Sequence, residues 1–176
     1  MDVFCSAGRD WGLIAEGRPG ASAVHAEIVA QQTEAFEVAN RALVSIVRQI
    51  QAFATNGTPD APRKINAALF TFRNKDAHEA VPFGPFNAAA LEDWAKGFSK
   101  PDGGTPLGNT VKAAAQRVFD SPLSRKHVLV LTDGMNTQGP DPAGVLPALF
   151  KQAEKKQTSL SVHFVAFDVD AKVFNQ

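Results

Sequence analysis

The carboxylate of Asp133 follows directly on an apolar run, Val128 to Thr132, and is itself followed by Gly134. A run of this length and composition predicts a buried strand. In open α/β sheets, ligands bind beyond the carboxyl ends of the strands, so a carboxylate at that point is placed for binding. The alternative is that Asp133 only stabilises the turn, because Asp side chains commonly hydrogen-bond to turn backbone.

A second candidate ligand, Thr105, stands between the pair Gly103-Gly104 and a helix start at Pro106. Two glycines allow the backbone to approach a ligand closely, and proline suits a first helical turn. A hydroxyl together with a carboxylate suits a hard cation such as Mg²⁺ or Mn²⁺, which prefers oxygen ligands. The alternative is that Thr105 serves only as the N-cap of the following helix.

Strands and helices alternate along the chain, and they are the elements that must position these two residues. Apolar residues recur at helical spacing from Val24 to Ala54. The strands are apolar throughout, which is typical of a mostly parallel sheet covered on both faces. The pattern therefore predicts an α/β fold with strands at 65–72, 78–84, 127–132 and 160–167, and with further helices at 87–98, 110–119 and near 142–156.

Composition limits the classes of function. A chain of 176 residues is expected to form a single domain, 1–176. Eighteen basic residues balance 18 acidic ones, which argues against nucleic acid or an anionic membrane as the partner. No apolar run is long enough for a membrane span, and the first residues do not resemble a signal peptide. With a single cysteine, Cys5, there is no internal disulfide, and a cytoplasmic location is favoured.

The segments "GGTPLGNTV" and "HVLVLTDG", in that order, resemble the von Willebrand factor A family. "INAALFTFRNKDAHEAVPF" is similar to that family's second strand, turn and third strand, so the resemblance covers residues 36–167. It implies a doubly wound α/β fold and a metal-ion-dependent adhesion site formed by an Asp-x-Ser-x-Ser loop, a Thr loop and an Asp loop. By similarity, Thr105 is the threonine and Asp133 the aspartate. In the family, an acidic residue of a partner protein fills the open position on the metal.

The third loop departs from the family pattern. Its candidate is "DVFCS", in which Asp2 and Ser6 match but Phe4, which cannot ligate a metal, replaces the first serine. On a second interpretation, Met1 is the methionine that often follows the motif, the motif itself lies upstream, and Asp2 and Ser6 are ordinary loop residues. Both interpretations remain open at this stage.

The ends of the family fold are a further departure. The pattern predicts a domain that lacks the family's first and last strands, unless a segment such as residues 2–6 fills the first position; a rearranged sheet or a marginally stable fold are the other outcomes. Residues 7–35 are expected to be an insertion before the first core helix. A solvated loop is favoured there over an extended helix or a lid.

The sequence thus predicts a protein-interaction module rather than an enzyme, with an unknown protein partner. Its metal ligands would be Thr105, Asp133, Asp2 and Ser6, and they would hold Mg²⁺, Mn²⁺ or Ca²⁺ weakly or not at all. One alternative is a Mg²⁺-dependent hydrolase or phosphatase with Asp133 as nucleophile, although the Asp-x-Asp pair of one such class is missing. The other is a degenerate, metal-free scaffold domain.

Overall fold

The computed structural model describes residues 2–8, 21–56, 63–73, 75–98, 104–132 and 135–166, with the backbone alone for 2–8, 21–36 and 73. These ranges form five strands and four helices. In chain order they are β1 (Asp2–Gly8), α1 (Ala21–Thr55), β2 (Asn66–Arg73), β3 (Asp76–Pro85), α2 (Ala88–Gly97), α3 (Leu107–Phe119), β4 (Arg125–Thr132), α4 (Pro142–Lys155) and β5 (Ser159–Ala166).

The strands form one sheet in the order β3-β2-β1-β4-β5. β1 runs parallel to both β2 and β4, and β4 runs parallel to β5, whereas β3 is antiparallel to β2 at the edge. Strand order therefore reverses direction at β1, as in a doubly wound sheet. The predicted α/β fold, with a mostly parallel sheet, is confirmed.

Helices cover both faces of the sheet, which explains why its strands are apolar at consecutive positions. On one face, α3 and α4 pack against Phe70 and Phe72 of β2 and against Val128 and Val130 of β4. On the other face, α1 and α2 pack against a second buried cluster that includes Ala67, Leu69 and Leu131. Neighbouring residues of β2 thus enter opposite cores, because successive side chains of a strand point to opposite faces.

The central strand is present, and of the outcomes expected from the sequence, the one in which a segment such as residues 2–6 fills the first position is confirmed. Residues 2–8 fill this position, hydrogen-bonded between β2 and β4. A strand at this point is required because parallel neighbours on both sides would otherwise leave backbone N–H and C=O groups unpaired. The expected absence of the last strand concerns residues after Ala166, which lie outside the described part of the chain.

The region 7–35, expected to be an inserted loop, is divided among other elements. Residues 7 and 8 end β1, and residues 21–35 form the first turns of α1, a continuous helix of 35 residues. Residues 9–20 lie outside the described ranges. The helical spacing that begins at Val24 predicts this helix, and the solvated loop favoured for residues 7–35 is wrong for 21–35, because neither glycine nor proline interrupts the chain from Ala21 to Thr55. Among the described helices, none has the length and hydropathy needed to cross a membrane.

Candidate functional site

The carboxyl ends of the parallel strands define the edge of the sheet at which the predicted site belongs. In the β1–β4 register, Gly8 is paired with Thr132, so both strands end at the same level. Asp133, the predicted carboxylate ligand, is the next residue after the end of β4 but lies outside the described residues. Its predicted role as a ligand therefore remains a prediction.

Thr105 lies at this edge, immediately before α3, and its side chain is completely buried. Its hydroxyl oxygen, Oγ1, has no hydrogen-bond partner among the residues described. The N-cap position of α3 is occupied by Pro106, and no side chain caps this helix. The alternative role of Thr105 as an N-cap is therefore wrong.

Two backbone-directed hydrogen bonds fix Thr105 to the loop that follows β4. The Thr105 N–H donates to Thr137 Oγ1 at 2.9 Å, and the Thr137 N–H donates to the Thr105 carbonyl at 3.0 Å. Each bond constrains a different end of the Thr105 backbone. The threonine loop and the segment after Asp133 are thus held together as one unit.

Glycines permit the close contact between the two loops. A Cβ on Gly104 would overlap the Gln138 side chain, and a Cβ on Gly108 would overlap the carbonyl oxygen of Pro140. Gly139 adopts a positive φ of 72°, a backbone conformation that favours glycine. We call residues 104–109, which include the first turn of α3, and residues 135–141 the paired loops, because Gly104, Thr105, Gly108 and Asn109 of the first segment each lie against a residue of the second.

The paired loops contain two further unpaired oxygens, which were not among the ligands predicted from the sequence. Asn136 Oδ1 and Gln138 Oε1 are buried and, like Thr105 Oγ1, have no hydrogen-bond partner. Within the described ranges, no other buried side-chain nitrogen or oxygen atom lacks a hydrogen-bond partner. In the sequence, the feature that could have indicated them is that the third and fifth residues after Asp133 have side-chain amides, whose carbonyl oxygens can bind a cation.

An oxygen-only donor set fits a hard divalent cation better than zinc, which favours nitrogen and sulfur ligands. The described parts of the chain contain no group of three or more His, Cys, Asp or Glu side chains that could hold a metal. Among the described residues, hydroxyl and amide oxygens are therefore the side-chain donors that the paired loops offer to such a cation, with Asp133 as the carboxylate predicted from the sequence.

The register of β1 does not bring Asp2 and Ser6 to this edge. Asp2 is paired with Lys126 near the start of β4, six residues before Gly8, or about 20 Å at the rise of a strand. Ser6 is paired with Val130, two residues short of Thr132. The segment "DVFCS" is thus part of the central strand. The assignment of Asp2 and Ser6 as metal ligands was therefore wrong, and so was the alternative that they are ordinary loop residues.

Solved structures share this fold at low sequence identity. Proximal thread matrix protein 1 from the mussel byssus has a TM-score of 0.60 and 18% identity, over 94% of this chain and 35% of that one. A von Willebrand factor type A protein from Catenulispora acidiphila has a TM-score of 0.52 and 18% identity, over 94% and 32%. The vWF domain of the type V pili tip protein Mfa5 from Porphyromonas gingivalis has a TM-score of 0.51 and 16% identity, over 77% and 38%.

The chain thus spans well under half the length of each of these three proteins, and the likeness concerns the fold alone. A search of curated protein sequences finds no match. The sequence model of the von Willebrand factor type A domain, in contrast, matches residues 31–174, which is most of the chain. Together with the doubly wound sheet, this match shows that the chain belongs to the von Willebrand factor type A domain family, a family of protein-interaction modules.

Proposed function

We propose that this domain binds a protein partner at the carboxyl edge of its sheet, through a divalent cation held by Thr105 and Asp133. The cation would be Mg²⁺, or Mn²⁺ or Ca²⁺ in its place, and the partner would contribute an acidic group. The observation that supports this proposal is the completely buried Thr105 hydroxyl without a hydrogen-bond partner. A polar group in that state is costly unless a ligand satisfies it.

The donor set explains why an acidic partner group is expected. When bound, a divalent cation supplies positive charge and an open coordination position. Thr105 offers a neutral oxygen and Asp133 a single negative charge, so these residues leave the charge of the cation only partly neutralised. The amino end of α3, which begins two residues after Thr105, adds partial positive charge from its backbone N–H groups. An approaching carboxylate is therefore attracted to this edge.

The first test is a titration of the purified chain with Mg²⁺ and Mn²⁺, followed by thermal melting. A ligand that binds only the folded state stabilises it by about 2.7 kcal/mol at 100 times its dissociation constant. We expect a saturable rise in the melting midpoint that EDTA reverses and that Asp133→Ala removes. A cooperative melt of the unaltered chain that does not respond to either cation would contradict the proposal.

The role of the partner's acidic group is tested separately with an array of peptides that carry Asp or Glu, or Asn or Gln at the same positions. We expect retention of the acidic peptides in Mg²⁺ and their release in EDTA. The Asp133→Ala variant should not retain them. Equal retention of acidic and amide peptides would show that a bridged carboxylate is not the mode of binding.

A further inference from the structure

The family's serine ligands have no counterpart where β1 leaves the sheet. β1 ends at Gly8, and the next 12 residues, 9–20, contain neither serine nor threonine in the sequence. Ser6 lies within the strand, two residues before the level of Thr132. If the site proposed above binds a cation, water or other protein oxygens would take the place of those two hydroxyls.

The paired loops contain two side-chain oxygens that are buried and have no hydrogen-bond partner among the described residues. Asn136 and Gln138 flank Thr137, which exchanges two hydrogen bonds with Thr105. The Gln138 side chain lies against Gly104, the residue that precedes Thr105. The Asn136 Nδ2 group donates to the Gly139 carbonyl at 3.3 Å, which orients the amide and leaves Oδ1 as its unpaired atom.

We propose that the amide oxygens of Asn136 and Gln138 are ligands of the cation beside Thr105, in place of the serines of the family's first loop. This inference rests on the function proposed above. Buried carbonyl oxygens without a donor retain their full cost of desolvation, and a hard cation relieves it because amide carbonyls are among its usual ligands. The neutral ligands would then come from the paired loops, and the carboxylate from Asp133 after β4, without a contribution from β1.

A second consequence is that the site remains weakly negative. Two serine hydroxyls are replaced by two amide oxygens, and both kinds of ligand are neutral. Asp133 would then be the single charged ligand among the four residues Thr105, Asp133, Asn136 and Gln138. Since the affinity of such sites depends on the number of charged ligands, an added carboxylate at either amide position should strengthen binding.

The test compares Mn²⁺ affinity in the unaltered chain and in Asn136→Leu and Gln138→Met, which keep the approximate shape of each side chain and remove its oxygen. We expect each variant to bind Mn²⁺ at least about tenfold more weakly, because even the loss of a residue that only supports a ligand costs about 10- to 100-fold in affinity. The lifetime of Tb³⁺ luminescence in H₂O and D₂O, which reports the waters on a bound ion, should show one additional water per lost amide. Gln49→Met, on the exposed surface of α1, is the matched control and should change neither value.

Asn136→Asp keeps the shape of the site and is a second variant in case Asn136→Leu does not fold. It should bind Mn²⁺ more tightly than the unaltered chain, and weaker or equal binding would contradict the proposal. Unchanged affinity in both amide variants, with binding lost in Asp133→Ala, would overturn this inference and leave the proposed function intact. An unaltered chain that binds no Mn²⁺ would overturn both.

Discussion

Two buried threonines, five residues apart, differ in the hydrogen bonding of their hydroxyl groups. Thr105 and Thr110 are both completely buried. The Thr110 hydroxyl donates to the Pro106 carbonyl at 2.9 Å, within the first turn of α3. The Thr105 hydroxyl has no hydrogen-bond partner in the described residues. The hydroxyl of Thr110 thus contributes a hydrogen bond to the fold, whereas the hydroxyl of Thr105 is the one that the proposed function assigns to a cation.

Replacement of each threonine by valine, which has nearly the same shape, should therefore change stability in opposite directions. Without cations, Thr105→Val should raise the free energy of unfolding by about 1 kcal/mol, because an unsatisfied buried hydroxyl is removed. Thr110→Val should lower it by about 1 kcal/mol, because a hydrogen bond is lost. Denaturation in urea with EDTA present measures both values.

The same two variants separate stability from binding when Mg²⁺ is added. We expect Thr105→Val to lose the stabilisation by Mg²⁺ and Thr110→Val to keep it. If Thr105→Val is less stable than the unaltered chain in EDTA, its hydroxyl has a structural partner, and the observation that supports the proposed function no longer holds.

At the scale of the elements, the start of α3 is constrained by the loop after β4 rather than by helix propensity. Gly108 is buried in the first turn of α3, and an added Cβ would overlap the backbone carbonyl of Pro140. Gly144, near the start of α4, is exposed, and an added Cβ there would meet no atom within 4 Å. Helix propensity alone favours alanine at both positions by about 1 kcal/mol.

We therefore expect Gly108→Ala and Gly144→Ala to differ in sign. Gly108→Ala should lower the free energy of unfolding by about 1 to 3 kcal/mol, because a backbone atom must move to admit the methyl group. Gly144→Ala should raise it by about 0.5 to 1 kcal/mol. Thermal melting checks both values, and equal effects would show that Pro140 does not constrain α3.

Gly108→Ala should also weaken the response to Mg²⁺, because it separates the paired loops that hold Thr105 beside the segment after Asp133. Gly144→Ala should leave this response unchanged. An unchanged Mg²⁺ response in a folded Gly108→Ala variant would show that close contact between the paired loops is not needed for binding.

For the whole molecule, β1 decides whether the sheet is continuous. It lies between β2 and β4 and is paired with both over residues 2–7. Every backbone N–H in this stretch therefore faces one neighbouring strand or the other. The remaining strands form two pairs, β3 with β2 and β4 with β5, which β1 joins into one sheet.

A proline in β1 should consequently destabilise the entire domain. Cys5→Pro removes one N–H from the ladder and leaves a buried carbonyl unpaired, at a cost of about 1 to 3 kcal/mol in addition to the clash of its ring. Cys5→Ala keeps the N–H and is the matched control. Urea denaturation should show a large loss of stability for proline alone, and similar curves for both variants would place β1 outside the central position.

The interior elements could be predicted from the sequence because their patterns are long and consistent. The apolar run 65–72 predicts a strand, and the structure has β2 at Asn66–Arg73. β1 was harder to predict because "DVFCSAG" is short and mixes polar and apolar residues, so that its pattern is equally consistent with a loop. Its position in the sheet depends on pairing with strands more than 50 residues away in the sequence.

The candidate site likewise has features that local sequence patterns predict and features that depend on the tertiary structure. The order of apolar runs and turn residues is enough to predict an α/β domain and to select Thr105 and Asp133 as candidates, because strand ends and helix starts are local patterns, and the motifs around these two residues carry the resemblance to the family. Three-dimensional packing is needed to see that Asp2 lies far from that edge, that Pro106 rather than Thr105 is the N-cap of α3, and that the side-chain oxygens of Thr105, Asn136 and Gln138 are buried without a hydrogen-bond partner among the described residues. Register and burial depend on contacts between distant segments, and no local pattern contains them.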